Sequence, residues 1–251
     1  MKPLPNVRKL FMPDKGHILL DCDLSGADAQ VVAWEANDND LKQAFQNGLD
    51  IHDHNGKSLW GDAYQRDATP RKYTMRDELK RAVHGTNYAA GLRTLSATLG
   101  WTQQAVGSFQ NAWFRLHPGI REWHRRVERD LQTQRRVQNK FGYRIIYFDR
   151  PQNLLPKGLA WIPQSTVAIV CARGAQQLYK HIPWATILLQ VHDSLVFQIP
   201  VHRDNSASYR ELRNSLRVAI PYDDELIIPW GLALSSKSWG DVEKKSWSEV
   251  T

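Results

Sequence analysis

The chain has 251 residues, is 42% hydrophobic and carries a formal charge of +7, with a pI near 9.4. That length and apolar content can bury one large core or two small ones, whereas no apolar run approaches the roughly 18 residues of a membrane span and the N-terminal MKPLPNVRKL lacks the apolar stretch of a secretory signal. Cys22 and Cys171 stand far apart in no metal-binding spacing, which suits reduced thiols in a cytoplasmic protein.

In chain order, His17–Asp23 (HILLDCD) is an apolar run closing on acids and reads as a buried strand. Gln30–Ala44 and Asp50–Trp60 have helical spacing, and Thr74–Ala90 is predicted as a helix with a basic face. Thr102 suits the N-cap of a helix running to about Leu116, ended by His117-Pro118-Gly119. Ile120, Trp123, Val127 and Leu131 then recur at helical spacing, with Arg121, Arg125, Arg126 and Arg129 on the other face. Arg136–Phe148 alternates around Phe141-Gly142 and predicts a hairpin or turn. Trp161–Tyr179 reads as a mostly apolar helix. Thr186–Val191 and Leu195–Ile199 are two apolar strands joined tightly by His192-Asp193-Ser194. Ser206–Val218 predicts a helix and Leu226–Leu234 a last strand. Strands at both ends of the chain with helices between them indicate an α+β fold, an antiparallel sheet carrying a helical insertion.

Charge is uneven along the chain. Between Arg115 and Arg144 nine Arg and Lys face three acids, while the first sixty residues and the tail after Pro221 hold more acid than base. Such a block suits a polyanion, nucleic acid first, although a solvated helix face has the same composition. The ten tryptophans suit base stacking or core packing.

Two constellations could carry chemistry. Asp23 ends an apolar strand and Asp193 sits at the tip of an apolar hairpin. A carboxylate beside buried strands is costly unless paired, solvated or on a metal, and two side by side would call for a hard divalent cation such as Mg2+. Taken alone, each also fits an ordinary turn or cap, and with 169 residues between them spacing cannot establish the pair. The second constellation is Arg76, Lys80, His84 and Tyr88, at spacing four on one helical face, with Arg71 and Lys72 just ahead. Arg and Lys could hold triphosphate oxygens while the rings stack on sugar or base; a solvated charged face remains the alternative.

These residues lie in segments that resemble family A DNA polymerases. DCDLSGADAQVVA (21–33) is similar to motif A, RDELKRAVHGTNYAAG (76–91) to motif B and LLQVHDSLVFQIP (188–200) to motif C. Between them, GLDIHDHNGKSLWGD, FRLHPGIREW, FGYRIIYF and PQSTVAIV resemble further family segments in the same order, so the likeness runs from about Pro5 to Trp239. The resemblance implies a palm sheet made from both ends of the chain (1–35 and 156–251) with helical fingers inserted at 36–155; the family places a thumb and usually an exonuclease domain before motif A, and with so few residues ahead of Asp23 the expectation is that both are absent here. It implies a two-metal nucleotidyl transfer from dNTP to a primer 3′-hydroxyl on template DNA. Asp23, Asp193 and the Leu24 carbonyl match the ligands of two Mg2+ ions. Arg76, Lys80 and His52 match triphosphate contacts, Tyr88 the template-base pocket, and His192 and Gln164 contacts to primer and minor groove; Arg144 falls in the DNA-facing Phe-Gly-Arg-Arg segment.

Departures from the family pattern bear on selectivity. Asp28 stands where the family has Glu, His84 where it has Phe or Tyr, Ser194 where Glu follows the metal-binding Asp, and Ala160 where an Asn often contacts the duplex. None removes a metal ligand, so the expectation is altered substrate selection with the chemistry retained. About twenty residues precede Asp23, which suggests a split or truncated polymerase working with an N-terminal partner chain in a bacterial or phage-infected cell. The competing readings are a non-catalytic nucleic-acid-binding remnant and a single-subunit RNA polymerase.

Overall fold

The computed structural model describes residues 5–150 and 154–251. In chain order the elements begin with β1 (His17–Asp23), α1 (Ala27–Glu35), α2 (Asn39–Gln46), α3 (Ile51–Trp60), α4 (Met75–Asn87) and α5 (Leu92–Leu99). Next come α6 (Gln103–Leu116), α7 (Pro118–Gln134), β2 (Arg136–Gln138), β3 (Arg144–Ile146) and α8 (Leu155–His181). The C-terminal part holds β4 (Thr186–Val191), β5 (Ser194–Pro200), α9 (Ser206–Ser215), β6 (Ala219–Ile220), β7 (Leu226–Ile227), β8 (Leu232–Ser235), β9 (Glu243–Lys245) and α10 (Trp247–Val250). They fall into two units, Met1–Ala27 with Thr166–Thr251, and Asp28–Ser165.

The first unit is organised by β1. It lies between β5 and β8 in an antiparallel sheet of order β4-β5-β1-β8-β9. Leu19 on one face and Leu20 and Cys22 on the other are fully buried, so both faces of β1 are covered and the stretch is apolar on both. Edge strand β9 carries only exposed charged residues, a sequence that discourages further pairing. In α8, a Cβ on Gly174 would stand 2.9 Å from the Trp230 ring and 3.5 Å from Leu195. Only glycine lets the helix approach the sheet so closely.

The second unit is helical, and its helix starts are written in the sequence. Asp38, Asp50, Thr74 and Thr102 each accept a backbone N–H of the helix they begin. Gly119 packs so near Ala36 that a Cβ would meet its carbonyl oxygen at 2.3 Å. Trp113 and Trp123 are fully buried. Trp60, Trp101, Phe109, Trp113 and His117 form a continuous series of ring contacts, so these tryptophans serve the core.

β1 has the limits its sequence predicts, and Thr102 caps α6 as expected. The single helix predicted over Gln30–Ala44 is two, because Asn37 takes φ 49° and Asp38 restarts the helix as an N-cap. The last strand predicted at Leu226–Leu234 is also two, interrupted around Pro229. Short α5, set between Gly91 and Gly100, and the charged β9 carried too little periodicity to be read. The helix predicted from Trp161 begins earlier, at Leu155, and passes through Pro163.

Candidate active site

In the first unit the strand register brings the two acids to one corner. Asp23 pairs across the sheet with Ser194, the residue after Asp193. The next N–H, that of Leu24, donates to the Asp193 carbonyl at 2.9 Å. Asp193 lies in the two-residue turn between β4 and β5, where His192 adopts φ 54°, a left-handed conformation in which His is enriched. Asp23 is exposed and Asp193 half-buried.

Gly231 shapes the space around Asp23. Its N–H donates to the Asp23 carbonyl at 2.6 Å, and a Cβ there would lie 2.6 Å from Asp23 Oδ1; glycine leaves room for the carboxylate. Leu24 forms a bridge to Trp230, and the Ser25 N–H donates to Pro229 at 2.9 Å. The two carboxylates and the Leu24 carbonyl are hard oxygen donors, the chemistry a divalent cation of the Mg2+ type takes.

The neighbouring thiols feel these acids. Burial, then Asp21 and Asp23, raise the Cys22 thiol well above its ordinary value. Burial and Asp193 push Cys171 up to about 12. Both therefore stay protonated and unreactive at neutral pH.

One residue of this corner escaped the sequence reading. Asp21 accepts hydrogen bonds from Ser194 Oγ and, at 2.6 Å, from Trp239 Nε1. A signal was present: an acid in a buried strand, two residues from Asp23 and therefore on the same face.

In the second unit Arg76 opens α4 and is already ion-paired. Its Nη2 and Nε donate to Asp50 Oδ2 at 2.7 and 3.1 Å. Asp50 also caps α3; burial pushes its carboxyl up, but Arg76 and the capped N–H groups hold it below the usual range. Asp53 bonds Arg66 at 2.9 Å and Tyr64 at 2.7 Å. His52 is drawn down to about 4 by burial and then by Arg76, so it is neutral at pH 7. Its Nδ1 is buried without a partner.

Arg71 is tied to Glu78, whose carboxylate is buried and also accepts from Trp101 Nε1 at 3.3 Å. Lys80 is exposed on the same helix. Tyr88 caps the end of α4 and donates to Asp28 Oδ2 at 2.9 Å. Burial and the Asp28 charge raise the Tyr88 hydroxyl, keeping it a donor. His84 stands edge-on to Tyr88 at 4.6 Å and 3.9 Å from Asp28 Oδ2. Its imidazole is lowered by burial, with Asp28 pulling it up and Lys80 pushing it down.

Gln164 is exposed on α8, His192 is exposed at its turn, and Arg144 is exposed on β3 opposite Gln138. Elsewhere in the second unit, ligand-type atoms of Asp38, Asp40 and His117 gather within 4.8 Å. Asp38 there caps α2 and receives His117 Nδ1 at 3.0 Å, while Asp40 pairs with His54. Each of these contacts is accounted for by capping and charge pairing.

Known proteins resemble this chain in sequence and fold. Residues 2–230 match the family model described as DNA polymerase family A. A DNA polymerase of Mycobacterium phage D29 is 23% identical over 94% of this chain and 37% of its own length. The thermostable DNA polymerase I of Thermus filiformis is 28% identical over 90% of this chain and 28% of its own. In structure, the POL domain of Pol1 from M. smegmatis, solved in complex with DNA primer-template and dNTP, superposes with a TM-score of 0.80 at 19% identity, covering 94% of this chain and 43% of that one. The chain thus spans less than half the length of each of these three proteins.

Proposed function

The chain belongs to DNA polymerase family A, and on that premise we propose that it carries the nucleotidyl-transfer centre of template-directed DNA synthesis, with the first unit as palm and the second as fingers. The observation that carries the reading is the register of β1 against β5. It makes neighbours of Asp23 and the turn holding Asp193, residues far apart in sequence.

In this reading Asp23, Asp193 and the Leu24 carbonyl hold two Mg2+ ions. Those ions, when bound, supply Lewis acidity for the primer 3′-hydroxyl and for the leaving pyrophosphate. Arg76 and Lys80 place positive charge on the dNTP phosphates, an electrostatic contribution that grows as negative charge develops. Arg76 keeps Asp50 as an alternative partner, so phosphate must compete with that carboxylate for the guanidinium. His52, being neutral, contributes a hydrogen bond and no charge. Asp28, with its carboxylate fixed by Tyr88, faces the sugar together with His84; Asp is one methylene shorter than the Glu usual in the family and would crowd a ribose 2′-hydroxyl less. Tyr88 lines the template-base pocket, and Gln164, His192 and Arg144 contact the primer-template. Phosphate contacts supply most of the affinity for DNA.

The test is Mg2+-dependent extension of a primed template by the chain, alone and with an N-terminal polymerase segment added, with Asp193→Ala as control. Extension that disappears in the control is expected. Salt-sensitive DNA binding without extension in either arm would overturn the catalytic assignment and leave a DNA-binding module.

A further inference from the structure

We propose that Asp21 is a positioning residue for Asp193: its carboxylate, bonded to Ser194 and Trp239, fixes the turn bearing Asp193 against the end of β1 bearing Asp23. The inference rests on the polymerase reading of that corner and adds a residue to it. Asp21 pairs across the sheet with Val196, and Asp23 with Ser194. Paired residues of an antiparallel sheet share a face, so Asp21 reaches Ser194 diagonally, two positions along. The hydroxyl it binds belongs to the residue directly after Asp193.

The other carboxylate oxygen is anchored to a rigid group. Trp239 is buried and packs with Leu19 and Val196. Its backbone N–H donates to the Phe11 carbonyl at 2.8 Å, the Phe11 ring meets it edge-on at 5.8 Å, and Arg8 lies over it at 4.4 Å. Asp21 therefore links a packed indole to the first residue after the hairpin turn. A half-buried carboxylate needs such donors to offset desolvation, and charge-assisted bonds are roughly twice as strong as neutral ones. Because Ser194 and Trp239 engage separate oxygens, Asp21 acts through Ser194 and is not assigned as a metal ligand. Ser194 brings no carboxylate of its own to the residue after Asp193, and β1 brings one from the adjacent strand.

The experiment compares the wild-type chain with Asp21→Asn, Ser194→Ala and the double variant. Single-turnover primer extension, dNTP KM, Mn2+ binding by electron paramagnetic resonance and thermal melting are measured for each. Each single variant is expected to lower kcat and weaken Mn2+ binding by about tenfold, with dNTP KM little changed, since small misplacement of a reacting constellation has effects of that order. The double variant should be no worse than the poorer single variant, because both changes act on the same bond, an amide at position 21 leaving one neutral acceptor oxygen for two donors. Restoring a carboxylate next to Asp193, by combining Asp21→Ser with Ser194→Glu, should recover most of the rate. Ser194→Ala deletes a single hydroxyl and carries the test should Asp21→Asn not fold. Wild-type kcat and Mn2+ affinity in Ser194→Ala, or losses that multiply in the double variant, would overturn the assignment of Asp21 alone. A wild-type chain that neither binds Mn2+ nor extends a primer would overturn the polymerase reading and this inference together.

Discussion

The corner at Asp23 and Asp193 and the face of α4 handle charge in opposite ways. In the first unit, acids stand at the end of an apolar sheet, and Asp21 is fixed by neutral donors, a serine hydroxyl and an indole N–H. In the second, the cations meet acids at once: Arg76 with Asp50, Arg66 with Asp53, Arg71 with Glu78. The lesson concerns where negative charge is left for a ligand to balance. The sheet corner gathers carboxylates, and among the described residues no Lys or Arg bonds Asp21, so a cation has work to do there. The helix face has acids that compete with any incoming anion for the guanidinium groups.

Substitutions can sharpen or break this contrast. The largest effect is expected at the corner: Asp23→Ala or Asp193→Ala should reduce Mg2+-dependent extension by roughly 10³-fold or more, because each removes a charge no neighbour replaces. Melting should stay close to wild type for the exposed Asp23. A variant that melts normally and still extends primers would end the contrast. Next is the buried Asp38, whose carboxyl is pushed up by burial but pulled further down by His117 and the Leu41 N–H. Asp38→Ala should cost about 2–4 kcal/mol in denaturant unfolding, through loss of a helix cap and of one member of a buried pair. The stability Asp38 contributes is present above the ordinary carboxylate pKa and lost as pH falls through its lowered folded value.

A smaller and opposite effect is expected at Asp50. Asp50→Asn keeps an N-cap but removes the charge competing for Arg76, so dNTP KM should fall by roughly threefold, the size of a partly exposed ion pair. An unchanged or higher KM would mean that Arg76 needs Asp50 for its orientation. The smallest effect at neutral pH belongs to His52, which carries no charge there. Its folded pKa of about 4 lies below the ordinary 6.5, so the unfolded chain takes up the extra proton first, and stability should decline as pH drops from about 6.5 toward 4. His52→Gln should flatten that part of the stability curve, as followed by thermal melting across the pH range.

Several features were legible in the residues themselves. HILLDCD gave β1 because a strand covered on both sides must be apolar on both faces. Thr102 gave the start of α6, and His117-Pro118 the break before α7, because capping oxygens and proline act locally. Ion pairing was far less legible. Arg76, Lys80, His84 and Tyr88 share a spacing of four, but that spacing says nothing about Asp50, 26 residues before Arg76. Asp21 was passed over because its importance lies in Ser194 and Trp239, 173 and 218 residues away.

By itself the sequence determined the local elements, the helix caps, the candidate acids and the family resemblance, since periodicity, capping chemistry and motif order are properties of neighbouring residues. Only the tertiary structure decided which charges are already bonded and which strands are adjacent. The register that sets Asp23 opposite Ser194 depends on how β1 and β5 share a buried face, and a slip of one residue would turn their side chains to the other side of the sheet.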